Sequence, residues 1–372
     1  MPSPGPRHVL LAGGGTAGHV SPLLALADAL RRRDPQVQIT ALGTEAGLEA
    51  RLVPQRGYPL AIVPKVPMPR RPSRALLRLP RALGDAVSAA EEAIEQSHAE
   101  VVVGFGGYVS TPAYVAARRK RVPIVVHEAN ARPGLANRVG ARMTPFVATT
   151  FARTPLRGAR VLSLPLRQEI ATLDRSAHRA QAREAFGLDP DLPTVLVTGG
   201  SLGAKRLNDA FEASVGALSA AGIQVLHATG AGKEFSATGA VAAPYVVVPY
   251  LDRMDLAYAA ADAVVCRAGA GTVCELSAVG LPAIYVPLPI GNGEQRLNAI
   301  GVVEAGGGLL VDDEEITPAW VAQHVPALVG DRDRIAEMSR AAAAVGERHG
   351  DELLADLVAE AAASSRARGN VR

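Results

Sequence analysis

The chain has 372 residues, 48% hydrophobic and 20% charged, with a formal net charge of +3. That length exceeds one core of ordinary size and points to two domains, while two cysteines, Cys266 and Cys274, supply no disulfide framework and suit a reducing compartment. No signal peptide or membrane span is expected, because no basic segment leads an apolar one and glycine or proline breaks every apolar run.

The first half presents β-rich runs in the order "HVLLA", "QVQITALG", "LAIVP", "EVVVGF", "PIVVHE" and "FVATT". The second presents "TVLVTGG", "IQVLHATG", "YVVVPY", "AVVCRAG", "PAIYVP" and "GGLLV". Each run is short, rich in Val and Ile, and continuous rather than alternating, as in strands buried on both faces of a parallel sheet. Alanine- and leucine-rich helical stretches separate them, which predicts an α/β class with helices on both faces. The pattern restarts: "VLLAGGGTAG" and "VLVTGGSLGA" are each strand, glycine loop and helix. Two doubly wound parallel-sheet domains are therefore expected, at 1–165 and 166–350. The stretch 351–372 is expected as a last helix packing back across the junction, with a frayed tail.

Charge divides the same way. Residues 1–165 hold 22 Lys+Arg against 10 Asp+Glu, and the remainder holds 17 against 26. A basic first half suits a phosphorylated substrate or an anionic membrane. Aromatics at 4% with no stacking motif speak against nucleic acid. "KVPMPRRPSRALLRLPRAL", residues 65–83, carries six cations, no acid and interspersed Met68, Leu76, Leu77, Leu79 and Leu83. Pro67, Pro69, Pro72 and Pro80 predict a loop with a short amphipathic turn rather than a long helix. A solvated basic loop is the plainer reading.

Glycine loops carry the chemistry. Gly13, Gly15 and Gly18 satisfy G-x-G-x-x-G between strand and helix, and such a loop binds anions through backbone N–H groups. A nicotinamide dinucleotide would also want an acid closing the second strand. That strand ends "ALGT" with Glu45 beyond it, which weakens the dinucleotide reading. A turn needed only for helix–strand packing is the bland alternative. His19 falls in the first helical turn, where the macrodipole disfavours imidazolium, and is either a general base or a phosphate ligand.

In the second half Ser201 of "TGGSLGAK" suits an N-cap or a phosphate-facing hydroxyl. In "CRAGAGTVCELSAVGLP", Glu275 stands three residues after Thr272, a capping-box spacing. Equally, its carboxylate could take two ribose hydroxyls. Glu294, Gln295 and Asn298 offer polar groups after a buried strand, as do Tyr108, His127, Glu128, Asn130 and Asn137 in the first half. No D-x-D pair follows a strand and no His/Cys cluster has zinc spacing, so neither a metal nor a cofactor is expected.

Taken together, "GGGTAGH", "GFGGYVS", "HEANARPGLANR", "GGSLGAKRLN", "YLDRM", "CRAGAGTVCEL" and "GEQRLNA" resemble the MurG family of peptidoglycan glycosyltransferases along nearly the whole chain. The resemblance implies the GT-B architecture, two Rossmann-like domains with the active site in the cleft, and transfer of N-acetylglucosamine from its UDP derivative to lipid I. The donor contacts it implies are Thr16, Ala17, Gly18, Asn130, Arg167, Ser201, Leu251, Ala270, Gly271, Thr272, Val273, Cys274, Glu275 and Gln295, with Glu275 on the ribose. Acceptor contacts fall on Tyr108, His127, Glu128 and Asn137, and His19 is the candidate base. Ala17, Ala129, Leu164, Leu202 and Glu294 depart from the family pattern.

The resemblance also implies a peripheral place on the cytoplasmic face of the cell membrane, with an anionic surface meeting residues 65–83. Other cell-wall or division proteins are the further partners it suggests. Inversion from an α-linked donor to a β-1,4 product implies one in-line displacement, with cleft closure excluding water. A UDP-N-acetylglucosamine 2-epimerase of the same architecture and an NAD-dependent oxidoreductase are the rival readings.

Overall fold

The structure is a computed structural model that describes residues 5–66, 75–200, 203–240, 242–290 and 292–369. The chain forms two compact units. One runs to Arg167 and resumes at His349, and the other spans Gln168–Arg348.

The first unit opens with β1 (His8–Ala12), α1 (Ala17–Arg33), β2 (Gln38–Gly43), α2 (Glu49–Gln55) and β3 (Leu60–Ile62). It continues with α3 (Ala75–Gln96), β4 (Val101–Gly104), α4 (Ser110–Lys120), β5 (Ile124–Glu128), α5 (Leu135–Gly140), β6 (Phe146–Thr149) and β7 (Arg160–Val161). All pairs are parallel, in the order β3-β2-β1-β4-β5-β6-β7.

Alternate residues of the central strands feed two cores, which explains the continuous apolar runs. Val9, Leu11, Val101, Val103 and Val125 pack with α1 on one face, while Leu10, Val102, Ile124 and Val126 pack with Tyr114 and Ala117 of α4 on the other. Pro80 lies inside α3, so the proline taken as a helix breaker is instead its sixth residue. Pro22 takes the same sixth position in α1. So near an N-terminus the missing N–H forfeits a single i→i−4 bond, and the helix continues. Residues 67–74 of the basic stretch, and the side chains of 75–79, lie outside the described residues.

The second unit begins with α6 (Gln168–Ala171), α7 (Arg175–Ala185), β8 (Thr194–Thr198), α8 (Lys205–Glu212), α9 (Val215–Ala220), β9 (Gln224–Ala228) and β10 (Tyr245–Val248). There follow α10 (Met254–Ala260), β11 (Ala263–Cys266), α11 (Ala270–Ala278), β12 (Ala283–Tyr285), α12 (Glu294–Glu304), β13 (Gly308–Leu310), α13 (Pro318–Val329) and α14 (Arg332–Val345). Its sheet is parallel throughout, in the order β10-β9-β8-β11-β12-β13. In each unit the order reverses beside the first strand, between β1 and β4 and between β8 and β11. That reversal is the switch point where ligands meet an open α/β sheet. The twelve strands read from the sequence are present, and the class is the expected α/β with two parallel sheets. The thirteenth, β7, has two exposed residues and carries no apolar signal.

The last helix, α15 (Gly350–Gly369), belongs to the first unit. Leu354, Leu357, Val358 and Ala361 enter the α1 side of its core, each at most 2% exposed. Gly350 begins the helix where a Cβ would lie 2.5 Å from the Leu164 carbonyl oxygen. Arg32 reaches Asp351 at 2.5 Å and Glu352 at 3.0 Å, and Arg33 reaches Glu352 at 2.5 Å and Asp356 at 2.6 Å.

Candidate active site

In the first unit the loops after β1, β4 and β5 meet at the carboxyl edge of the sheet. Thr16 is the N-cap of α1, yet its hydroxyl makes no capping bond and lies 3.1 Å from His19 Nδ1. His19 Nδ1 also lies 3.1 Å from the Gly14 carbonyl oxygen. A carbonyl only accepts, so this contact favours the tautomer with the proton on Nδ1 and the lone pair on Nε2. A Cβ on Gly106 would lie 3.1 Å from that Nε2 and 3.4 Å from Asn137 Nδ2. Gly107 has φ +82°, and a Cβ there would lie 2.5 Å from the Gly14 oxygen. The β4 loop must therefore be glycine to admit the imidazole and the carbonyl beside it. Burial lowers the His19 pKa below its ordinary value, against the opposing pull of the Gly14 carbonyl, Glu128 and Glu49.

Glu49 was not singled out in the sequence. It is 1% exposed, and its Oε2 accepts the Gly15 N–H at 2.9 Å. Its Oε1 accepts the Thr44 N–H at 2.9 Å and the Thr44 hydroxyl at 2.8 Å. Burial raises its pKa, but these bonds prevail and hold it below the ordinary carboxylate value. Cβ atoms on Gly14, Gly43 or Gly47 would lie 2.5, 2.4 and 2.1 Å from this side chain. One signal was present: "GTEAGLEARLVP" supplies a second acid four residues after Glu45.

The acceptor candidates divide. Tyr108 is 50% exposed, with Lys65 Nζ 5.7 Å from its ring centroid. Glu128 is buried, accepting the Asn130 N–H at 2.9 Å through Oε1 and the Gly134 N–H and Asn137 Nδ2 at 3.0 Å through Oε2. Asn137, also buried, donates to the His127 carbonyl and accepts the Tyr114 hydroxyl at 2.8 Å. Glu128 and Asn137 thus hold the loop 129–134 in shape. His127 is fully buried beside Phe105, donating Nε2–H to the Ser163 carbonyl at 3.0 Å, and desolvation lowers its pKa to about 4. Asn130 and Arg167 are half-buried, Ala17 is half-buried and Gly18 exposed.

In the second unit α11 starts at Ala270 with Gly269 as its N-cap. Thr272 and Glu275 are therefore the third and sixth helical residues, and the capping-box alternative for Glu275 does not form. Its Oε2 instead accepts the hydroxyl of Tyr258, a fully buried residue of α10, at 2.8 Å. Arg175 donates to the carbonyls of Tyr258, Ala261 and Gly280, joining the ends of α10 and α11. The first-turn amides of α11, from Ala270 to Thr272, have no acceptor within the helix, an arrangement able to receive an anion.

Val273 and Cys274 face inward; burial pushes the Cys274 thiol up to about 12, so it is no nucleophile. Gln295 folds back so that its Oε1 accepts the Leu288 N–H at 3.0 Å, and buried Asn298 donates to the Ala268 carbonyl. Leu251 is buried, and Ser201 lies outside the described residues. A cavity of about 590 Å³ opens beside these loops, with Arg206, Arg267, Leu288, Ile290 and Asp313 among its lining.

Residues 9–149 match the glycosyltransferase family 28 N-terminal domain, and residues 194–354 match its C-terminal domain. Over 359 residues the chain is 60% identical to a protein of Streptomyces avermitilis, covering 96% of this chain and 99% of the relative. That relative is named UDP-N-acetylglucosamine–N-acetylmuramyl-(pentapeptide) pyrophosphoryl-undecaprenol N-acetylglucosamine transferase. The chain belongs to the MurG family of glycosyltransferases. A relative of the same name from a Nocardioides species is 59% identical over 97% of this chain and all of its own length. The crystal structure of MurG from Acinetobacter baumannii superposes with a TM-score of 0.77 at 29% identity, covering 95% of this chain and 100% of that one.

Proposed function

We infer that this protein transfers N-acetylglucosamine from UDP-N-acetylglucosamine to the 4-hydroxyl of the N-acetylmuramoyl unit of lipid I, giving lipid II. The observation that carries this is the 60% identity sustained over 96% of the chain with proteins named for that transfer. Roles for individual residues rest on the geometry within each unit. Glu275, held by Tyr258, offers its carboxylate to the ribose, and the amides opening α11 face the diphosphate. As the bond to the anomeric carbon breaks, negative charge gathers on UDP, and preset N–H dipoles lower its energy without reorganising. His19 Nε2 accepts the proton of the attacking hydroxyl, its lone pair exposed by the Nδ1–Gly14 bond. Tyr108, exposed on the β4 loop, lies on the acceptor side.

We assign contact with the lipid-linked acceptor to peripheral binding through residues 65–83, whose six cations and lack of acid suit an anionic surface. Among the described residues no helix is long and apolar enough to cross a membrane. The test is UDP release from UDP-N-acetylglucosamine with and without lipid I. Release that depends on lipid I supports the transferase. A manno epimer formed without acceptor would indicate an epimerase instead.

A further inference from the structure

We propose that Glu49 is a positioning residue for His19, acting through the single peptide group that lies between them. The peptide joining Gly14 to Gly15 is planar, with its C=O and N–H pointing in opposite directions. Its N–H donates to Glu49 Oε2 at 2.9 Å, and its C=O accepts from His19 Nδ1 at 3.1 Å. Fixing one end fixes the other. Without a partner on the N–H, a Gly-Gly peptide is among the freest in a chain, because neither flanking residue has a Cβ to limit rotation.

Glu49 is itself immobile. Thr44 occupies its second oxygen twice, and Gly14, Gly43 and Gly47 close around it at distances that leave no room for a side chain. Three glycines therefore serve this carboxylate rather than a substrate phosphate. The consequence for the loop is specific. Gly15 N–H, an expected phosphate donor of the G-x-G-x-x-G pattern, is already taken by an internal anion. A bound diphosphate at that point would meet a carboxylate, so this peptide's contribution is to hold the imidazole. The arrangement is a carboxylate–peptide–imidazole relay, in which the negative charge also polarises the peptide and strengthens the carbonyl as an acceptor.

This proposal rests on the reading of His19 as the base, and the experiments separate the two. First, ¹⁵N NMR of the wild-type imidazole at pH 8 reports the tautomer with no substitution at all. Protonated Nδ1 and bare Nε2 are expected at His19, and a dominant Nε2–H form would overturn the proposal. Second, Glu49→Gln sets an amide NH₂ against either Gly15 N–H or Thr44 N–H. It is expected to lower kcat by roughly tenfold or more while the donor KM stays within about threefold. The tautomer spectrum of this variant should become mixed.

Third, Glu49→Gln is combined with His19→Ala. If Glu49 acts through His19, the double variant turns over like His19→Ala alone. An unchanged tautomer, or the same fold loss in the His19→Ala background, overturns the proposal. Glu49→Asp, one methylene short of Gly15, serves where the glutamine variant folds poorly. The reading of His19 as base fails separately, if His19→Ala keeps wild-type turnover and its acidic limb. The charged groups acting on the imidazole are Glu49 from α2 and Glu128 from the end of β5.

Discussion

Tyr258 donates its hydroxyl to Glu275 Oε2 at 2.8 Å, from a ring that is itself 1% exposed. A carboxylate held by a buried donor is pre-aimed, so little rotamer freedom remains to be lost when a diol binds. Glu275→Ala should therefore raise the donor KM strongly, with a loss of about 2–4 kcal/mol in transition-state binding. Its thermal stability should fall by only about 1–2 kcal/mol, mainly for the stranded Tyr258 hydroxyl. Tyr258→Phe should show the milder kinetic defect. Steady-state kinetics over donor concentration, with melting curves alongside, check both. Early melting with unchanged donor kinetics would return Glu275 to a structural role.

His19→Ala should lower kcat by about two to four decades, as removal of a general base does. Burial disfavours the charged imidazole, so the wild-type acidic limb of kcat should lie below the ordinary value of 6.5. Activity then rises with pH through that limb, because only neutral His19 accepts a proton. The pH profiles of both proteins decide the matter. A limb that persists in His19→Ala would show that another group titrates.

How much of this was open to the sequence depends on the range of each interaction. Strands such as "HVLLA" and "TVLVT" announce themselves because both faces are buried, and their loops follow from glycine spacing. Glu49 was not legible as a partner of Gly15. The two stand 34 positions apart and become adjacent only when β2 pairs with β1. The capping spacing of Thr272 and Glu275 misled for a similar reason. Where α11 begins is set by Gly269 and by β11 ahead of it, not by the pair itself. His127 looked like a loop residue, but the alternation of β5 turns it inward with Val125, beside Phe105.

Two imidazoles are buried neutral, His127 and His227, with pKa values lowered by desolvation to about 4 and about 3. His227 sits between the Tyr245 hydroxyl and Asn208 Oδ1. Each unfolded imidazole binds a proton at higher pH than its folded form. Stability from this source is full above about pH 6.5 and declines as pH falls toward those values. Each group should cost about 1.5 kcal/mol between pH 6.5 and 5. Urea unfolding at the two pH values measures it. His227→Gln should reduce the loss in the second unit, and an unchanged slope would contradict the assignment.

The return of α15 to the first unit makes another prediction. Leu357 and Val358 are at most 2% exposed, whereas the Arg33 pairs with Glu352 and Asp356 lie near the surface. Leu357→Ala should therefore cost about 2–5 kcal/mol, against at most about 1 kcal/mol for Arg33→Ala. Chemical denaturation ranks them. Equal effects would mean that ion pairs, not apolar burial, hold the helix.

The last expectation concerns the membrane. Lys65, Arg70, Arg71, Arg74, Arg78 and Arg81 stand within one stretch that holds no acid, and the first 165 residues carry a net +12. Near an anionic leaflet each cation is worth roughly 1 kcal/mol, and the attraction fades within about a Debye length. Six such charges suffice for reversible attachment at the headgroup level, where a lipid-linked pyrophosphate lies. The same stretch of sequence holds Met68, Leu76, Leu77 and Leu79 among its cations, and α3 begins at Ala75 and continues through Pro80. Binding to anionic vesicles should therefore weaken steeply with salt and be absent on neutral ones. Changing Arg70, Arg71, Arg74 and Arg78 to Glu should abolish it while leaving donor binding intact, because no donor candidate falls in the stretch. Equal co-sedimentation of this variant and wild type at low salt would place the membrane contact elsewhere.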